Sequence, residues 1–303
     1  MNKSKLHLAM LAIVIAGGIV VTSCKKKDTT TTPTTTDTDQ SGATANNKTE
    51  EISSDIVSMG SEACDKTGNM ASYRTASSEQ ASQLSCATVT VDTINKVVTV
   101  TFTGGVCLDG KIRNGSLIYN YSASPAGARH YRDPGFTVSI TSSNYSVDNN
   151  TVTIVSKVIT NLTPVGFNPA STNESWSINA NMSVALSGGG SVSWTCARVK
   201  TLLNTSTAYT NANTPITWST ARIGYTGSAS GSRSNGETFT VNITNQLIRD
   251  FGACTVAYRH PFIQGTFVYA PSNKAARTVD YGTGTCDLDA TVTINGITHQ
   301  IIL

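Results

Sequence analysis

The sequence predicts an all-β fold: a large antiparallel sheet, or a sandwich of two similar meander halves. The first observation is alternation of apolar and polar residues, which runs for eleven residues from Trp176 to Leu186 and recurs elsewhere. A period of two indicates strands with one buried and one solvated face. The second observation is the series of turn sequences between such segments, for example Ser234-Asn235-Gly236 and Asn295-Gly296. Together they predict about 12 to 16 short strands within residues 86–303.

The composition fits a secreted β-protein and argues against nucleic acid as a partner. Only 14% of the 303 residues are charged, and the formal net charge is +3. Residues 1–23 contain Lys3 and Lys5 but no acidic residue, so their removal leaves 280 residues with a charge of +1. A nearly neutral chain lacks the basic face on which nucleic-acid binding depends.

The N-terminus has the pattern of a secretory signal that ends in a cysteine. Lys3 and Lys5 precede an apolar run, and Val21-Thr22-Ser23-Cys24 closes it. The run of about 14 residues is shorter than the roughly 20 of a transmembrane helix. Its last four residues resemble the lipobox of bacterial lipoproteins, which implies that residues 1–23 are a signal peptide and that Cys24 is acylated. By the same resemblance, Lys25 implies the outer membrane.

A tether and one short helix are expected between the signal and the sheet. Residues 24–48 are rich in Thr and almost without large apolar side chains, which predicts a disordered tether that starts at the lipidated cysteine. Residues 49–85 are predicted to form a short helix and a linker. In that helix Thr49 is the N-cap and Gly60 the stop, and its apolar side packs at the edge of the sheet.

Six cysteines remain after the lipidated one, and this even number predicts disulfides in an oxidising compartment. A structural metal is not expected, because no two of these cysteines lie within four residues of each other. Two similar segments, VTFTGGVC and VDYGTGTC, each end in a cysteine with another cysteine upstream. We therefore predict the pairs Cys86–Cys107 and Cys254–Cys286. Cys64 and Cys196 remain as further disulfide candidates.

No sequence motif predicts catalysis, a cofactor or a metal site. Three histidines of the predicted domain are isolated in the sequence: His130, His260 and His299. The nearest approach to a serine-hydrolase elbow, at 227–231, has alanine in the nucleophile's place. Three carboxylates near the last turn could serve glycoside hydrolysis: Asp280, Asp287 and Asp289. Such acids more often cap turns or pair with a cation such as Arg277, so no catalytic residue is predicted.

Aromatic side chains offer a candidate ligand surface, because flat rings stack on sugar rings. Trp176 and Trp194 share the parity of apolar neighbours such as Ile178, which places them in the predicted core. Five tyrosines on strand faces or near loops are the candidate ligand-binding residues: Tyr119, Tyr121, Tyr131, Tyr209 and Tyr225.

Several segments of the chain resemble a group of Bacteroidota-type lipoproteins: CLDGKIRNG from Cys107, YRDPG from Tyr131 and DYGTGTCD from Asp280. The resemblance implies an all-β domain behind a lipid anchor, but the group has no established activity. We expect a non-enzymatic envelope lipoprotein that is anchored in the outer membrane and acts as a structural or interaction module. The sequence does not distinguish the periplasmic face of that membrane from the cell-surface face. Its partner would be a glycan or another envelope protein. The alternatives are a cell-surface glycan-binding protein and, third, a polysaccharide hydrolase with a non-standard carboxylate site.

Overall fold

One helix and thirteen strands are described in the body of the protein. The computed structural model describes residues 37–67, 83–128, 130–205, 221–251, 254 and 261–302, so Cys24, Tyr209 and His260 lie outside them. The helix is α1 (Ser41–Thr67). The strands are β1 (Ala87–Asp92), β2 (Val97–Val106), β3 (Ile112–Asn120), β4 (Thr137–Val147), β5 (Asn150–Asn161), β6 (Ser175–Ala185), β7 (Ser191–Leu202), β8 (Arg222–Arg233), β9 (Thr238–Asp250), β10 (Phe262–Pro271), β11 (Arg277–Thr283), β12 (Asp289–Ile294) and β13 (Ile297–Ile302).

All thirteen strands form one antiparallel sheet, in which each strand pairs with the next along the chain. The predicted all-β class is confirmed, and a single sheet is observed rather than a two-sheet sandwich.

Alternating side chains determine which face of the sheet is buried. In β7, Val192, Trp194 and Cys196 are buried, whereas Ser193 and Thr195 between them are exposed. Trp176 in β6 lies on the same buried face, so the predicted core position of both tryptophans is confirmed. The removal of these apolar side chains from water is the main force that packs the buried face of the sheet against the helix.

The sheet curls around α1. Side chains from strands spread along the whole sheet contact the helix: Tyr119 on β3, Lys157 on β5, Arg198 on β7, Arg249 on β9 and Tyr281 on β11. Shifts in strand register, such as the one between Tyr225 and Ser228, accompany this curvature. Gly227 lies in that shift with φ +108°, and a Cβ there would come within 2.2 Å of the Ala197 carbonyl oxygen. Only glycine fits this position.

The helix is longer and more central than the sequence predicted. It begins at Ser41, whose backbone N–H donates to the Asp39 carboxylate at 2.9 Å, and not at Thr49. Gly60 lies inside the helix and does not end it. A glycine is needed at this position because the Tyr119 ring lies 2.6 Å from where a Cβ would stand. The predictions of a tether through residue 48, of a stop at Gly60 and of packing at the sheet edge are therefore wrong.

Both predicted disulfides are confirmed. Cys86–Cys107 and Cys254–Cys286 are bonded, with sequence separations of 21 and 32 residues. The prediction for Cys196 is wrong, since it is a buried free thiol. Trp194 and Arg198, on either side of Cys196 in β7, contact Asn46 and Glu50 of α1. Cys64 lies 14 residues after Glu50, which is about 21 Å along a helix. A disulfide requires Cα atoms within about 7 Å. The side chain of Cys64 lies outside the described residues.

The two ends of the sheet differ in their connections. The short-turn end carries the turns at 107–111, 148–149, 186–190, 234–237, 272–276 and 295–296. The long-loop end carries, among the described residues, the connections at 93–96, 121–136, 162–174 and 284–288. The helix enters at the short-turn end, where Asp37 contacts Arg277, and runs toward Tyr119 near the long-loop end.

Candidate functional site

A cluster of buried charges around Asp55 joins α1 to the sheet. The Asp55 carboxylate accepts hydrogen bonds from Lys111 Nζ at 2.5 Å and Arg249 Nη2 at 3.0 Å, and Arg113 Nη2 lies 3.8 Å away. Burial would raise the pKa of Asp55, but attraction to the three cations outweighs it and holds the pKa below its ordinary value. Asp55 is therefore ionised and faces three buried cations, of which Lys111 also binds Glu51 and Arg113 also binds Asp109.

The two acids before Asp55 in α1 extend this pattern. Glu50 accepts from Arg198 Nε at 3.1 Å and from Nη2 at 2.7 Å, a two-pronged geometry that also fixes direction. Glu51 accepts from Lys111 Nζ at 2.7 Å. The helix thus supplies acids and the sheet supplies cations, so charge complementarity fixes how α1 lies within the sheet.

The start of the described chain is fastened in the same way. Asp37 accepts two hydrogen bonds from Arg277 Nη2, at 2.8 and 3.0 Å, and Asp39 pairs with Lys274. Residues from Asp37 onward therefore belong to the folded body, so residues 37–48 are not part of a tether as predicted.

Lys157 departs from the pattern of paired cations. Its side chain is fully buried, and the one hydrogen-bond partner among the described residues is the Ser53 hydroxyl, 2.6 Å from Nζ. Ala180 lies between Lys157 and Cys196 in the pairing of β5, β6 and β7. Burial lowers the pKa of Lys157 to about 8 and raises the pKa of Cys196 to about 11. Both side chains are buried in the core.

A second set of buried charges holds two connections of the long-loop end. Arg132 Nε donates to Glu174 at 3.2 Å, and Glu174 is fully buried. Burial raises the pKa of Glu174, against the opposing attraction of Arg132. Beside them, Lys200 Nζ lies 5.0 Å from the centre of the Trp176 ring. The contact between Arg132 and Glu174 ties loop 121–136 to loop 162–174.

The predicted tyrosine ligand surface is wrong for the four tyrosines that the structure describes. All four are at least 94% buried: Tyr119, Tyr121, Tyr131 and Tyr225. Tyr119 donates its hydroxyl to the Ile56 carbonyl at 2.9 Å, and Tyr225 packs edge-on against Phe262. Tyr119 and Tyr225 lie on the buried face of β3 and β8, whereas Tyr121 and Tyr131 are buried in the 121–136 loop. Tyr209 lies outside the described residues.

The carboxylates considered for hydrolysis stabilise turns. Asp280 accepts from the Gly282 backbone N–H at 2.7 Å, and Asp287 accepts from that of Asp289 at 3.1 Å. Arg277, their suggested partner, binds Asp37 instead. Within the described ranges, no group of three or more His, Cys, Asp or Glu side chains could hold a metal ion.

A polar groove crosses the outer face of the sheet from β5 to β10. It consists of two adjoining depressions of about 630 and 500 Å³ that share Thr195, Ser230 and Thr240. Beside the exposed Ala197, the groove has further exposed lining residues that are short and polar, among them Ser156, Asn179, Asn181, Ser193, Ser228 and Asn242. Amides and hydroxyls supply both hydrogen-bond donors and acceptors, so the groove can contact a polar, uncharged ligand.

Comparisons with known proteins identify no relative. No family model matches the chain, and no curated protein or solved structure shows significant similarity to it. In the part of the chain that the structure describes, no helix is both long and apolar enough to cross a membrane.

The sequence-based reading missed the inward-facing cations. In β7, Arg198 and Lys200 stand at the same parity as Val192 and Trp194, and all four are buried. An Arg or Lys at a strand position that otherwise carries buried apolar residues indicates an acidic partner on the buried face, because an unpaired buried charge is costly. That partner lies on α1, a segment that its composition had assigned in part to the tether.

Proposed function

We propose that the protein is a lipid-anchored lipoprotein of the outer membrane whose β-domain is a structural or interaction module without catalytic activity. The observation that carries the proposal is the position of α1. The chain that follows the proposed anchor at Cys24 enters the body at Asp37 and is held inside the sheet by buried ion pairs. A pull that reaches Asp37 is therefore passed to the sheet through these ion pairs.

The anchor is tested by replacing its acylated cysteine. In Cys24→Ala, palmitate labelling should disappear and the protein should leave the membrane fraction, because no acyl chain remains to hold it. Ser23→Ala is the matched control, since it leaves the acylated thiol in place. Labelled palmitate on the Cys24→Ala chain would refute the assignment.

Glycan binding is the second candidate function, and the polar groove is the observation that favours it. Three asparagines and several hydroxyls line the groove, and such groups form hydrogen bonds with sugar hydroxyls. The tyrosines that the sequence offered for stacking on sugar rings are buried, so they do not support glycan binding. The groove would then be the face that meets a polysaccharide.

A glycan array separates this candidate from a purely structural module. If the groove binds sugar, Thr195→Trp should abolish array binding by filling the point where the two depressions join. Thr278→Trp, on the outer face of β11, should leave binding unchanged. An array without reproducible binding would leave the structural module as the proposal. Turnover of a polysaccharide that is lost in Asp287→Asn would instead support the third candidate, a hydrolase.

A further inference from the structure

The turn between β2 and β3 has an inverted arrangement of polar and apolar side chains. Asp109 and Lys111 in this turn are each only 1% exposed. The apolar neighbours Val106, Leu108 and Ile112 are 67%, 58% and 44% exposed. Val106 and Ile112 are direct partners across the strand pair, and Leu108 lies in the turn between them. The three form one apolar patch, which we name the 106–112 patch.

The inverted arrangement is built into the fold. Asp109 accepts two hydrogen bonds from Arg113, and Lys111 binds Asp55 of the helix, so both polar side chains must turn inward. The Cys86–Cys107 disulfide fastens the first residue of the turn to the residue before β1, and the Ser85 hydroxyl accepts from the Leu108 backbone N–H at 2.7 Å. These contacts hold the three apolar side chains on the outside of the turn.

The covalent path of the chain indicates what covers the patch. The 106–112 patch lies at the short-turn end, and the chain enters the body at that same end through Asp37. Cys24 precedes Asp37 by 13 residues, which span at most about 45 Å when extended. An acylated Cys24 would keep the short-turn end close to the bilayer.

We propose that the 106–112 patch is a lipid-docking surface that seats the short-turn end of the sheet on the bilayer. The inference rests on the proposed lipid anchor, which supplies the local concentration that three apolar side chains lack by themselves. Docking orients the domain, so that the long-loop end points away from the membrane and the groove lies along its side.

The test is photolabelling of the mature lipoprotein in vesicles of phosphatidylethanolamine and phosphatidylglycerol. The vesicles contain a phospholipid with a photoactivatable diazirine in its acyl chain, and mass spectrometry locates the label. The peptide that contains residues 106–112 should be labelled several-fold more than the peptide that contains Leu162 and Val165. Those two side chains are a matched control, because they are 49% and 90% exposed at the long-loop end.

Each outcome separates the docking surface from the anchor. Vesicle-bound protein with equal label on the two peptides, or with more label on the control peptide, would overturn the docking surface alone. Protein that does not bind vesicles would overturn the anchor and the docking surface with it. Leu108→Glu combined with Ile112→Glu should keep the protein on the vesicles but reduce label around Val106 several-fold. Leu162→Glu combined with Val165→Glu should leave that label unchanged.

Discussion

Asp55→Asn should lower the free energy of unfolding by about 3 to 5 kcal/mol, the usual cost of removing one partner from a buried ion pair. The Asp55 side chain is 4% exposed, and its carboxylate faces Lys111, Arg249 and Arg113. An amide in its place keeps the shape of the side chain but leaves these cations with less negative charge nearby. Urea denaturation at pH 7 measures the difference.

The control for this substitution is Asp289→Asn, at an exposed position of β12, which should change stability by less than about 0.5 kcal/mol. The double variant Asp55→Asn, Arg249→Met should lose less unfolding free energy than the sum of the losses of the two single variants. The reason is that the second change removes a cation that the first change left uncompensated. If Asp55→Asn were as stable as the wild type, the cluster would not be what fixes α1 in the sheet.

Acid denaturation provides an independent check on Asp55. Its pKa in the folded protein lies below the ordinary value of 3.8, so the unfolded chain binds the proton first as the pH falls. The stability that Asp55 contributes is complete above that value and is lost below it. The wild type should therefore lose stability more steeply than Asp55→Asn between about pH 5 and pH 2.

The strands could be predicted from the sequence because each depends on local alternation. Trp176 and Trp194 took their positions from the parity of their own strands, and both disulfides followed from cysteines that end two similar segments. The same rule applied to Tyr119, which shares a face with the fully buried Leu117, would have placed it in the core as well.

The helix could not be predicted in full, because its first half is buried by polar contacts. Asn46 accepts a hydrogen bond from the Trp194 indole at 3.1 Å, and Asn47 accepts one from the Tyr281 hydroxyl. A rule that assigns disorder to segments without apolar residues assumes an apolar interior. Here the interior carries Arg, Lys and Tyr, so a helix rich in Asn, Ser and acids is the segment that fits it.

The same polar interior determines where an external ligand can bind. The concave face is filled by α1, and its charged groups are engaged with the helix. The proposed glycan and membrane contacts would therefore use the outer face and the short-turn end, where the polar groove and the 106–112 patch lie. Mutations at these surfaces should therefore alter binding without loss of the fold.

Lys157→Met should stabilise the protein at pH 7 by about 3 kcal/mol, which corresponds to the lowering of the Lys157 pKa from 10.5 to about 8. Below pH 8 both the folded and the unfolded chain hold the proton, and the folded state bears the cost of a buried ammonium whose one described hydrogen-bond partner is Ser53. Methionine fills similar space without that charge. Urea denaturation of both proteins at pH 7 measures the gain.

The pH dependence distinguishes removal of a buried charge from better packing. Between about pH 8 and pH 10.5 the unfolded chain binds a proton that the folded chain has released, so this lysine makes wild-type stability rise with pH. The advantage of Lys157→Met should therefore shrink across that window, whereas a packing gain would stay constant. Lys96→Met, at an exposed turn, should show no such change. A methionine variant less stable than the wild type at pH 7 would mean that the ammonium is stabilised in place, and that the core around Ser53 and Cys196 is built for a charged lysine.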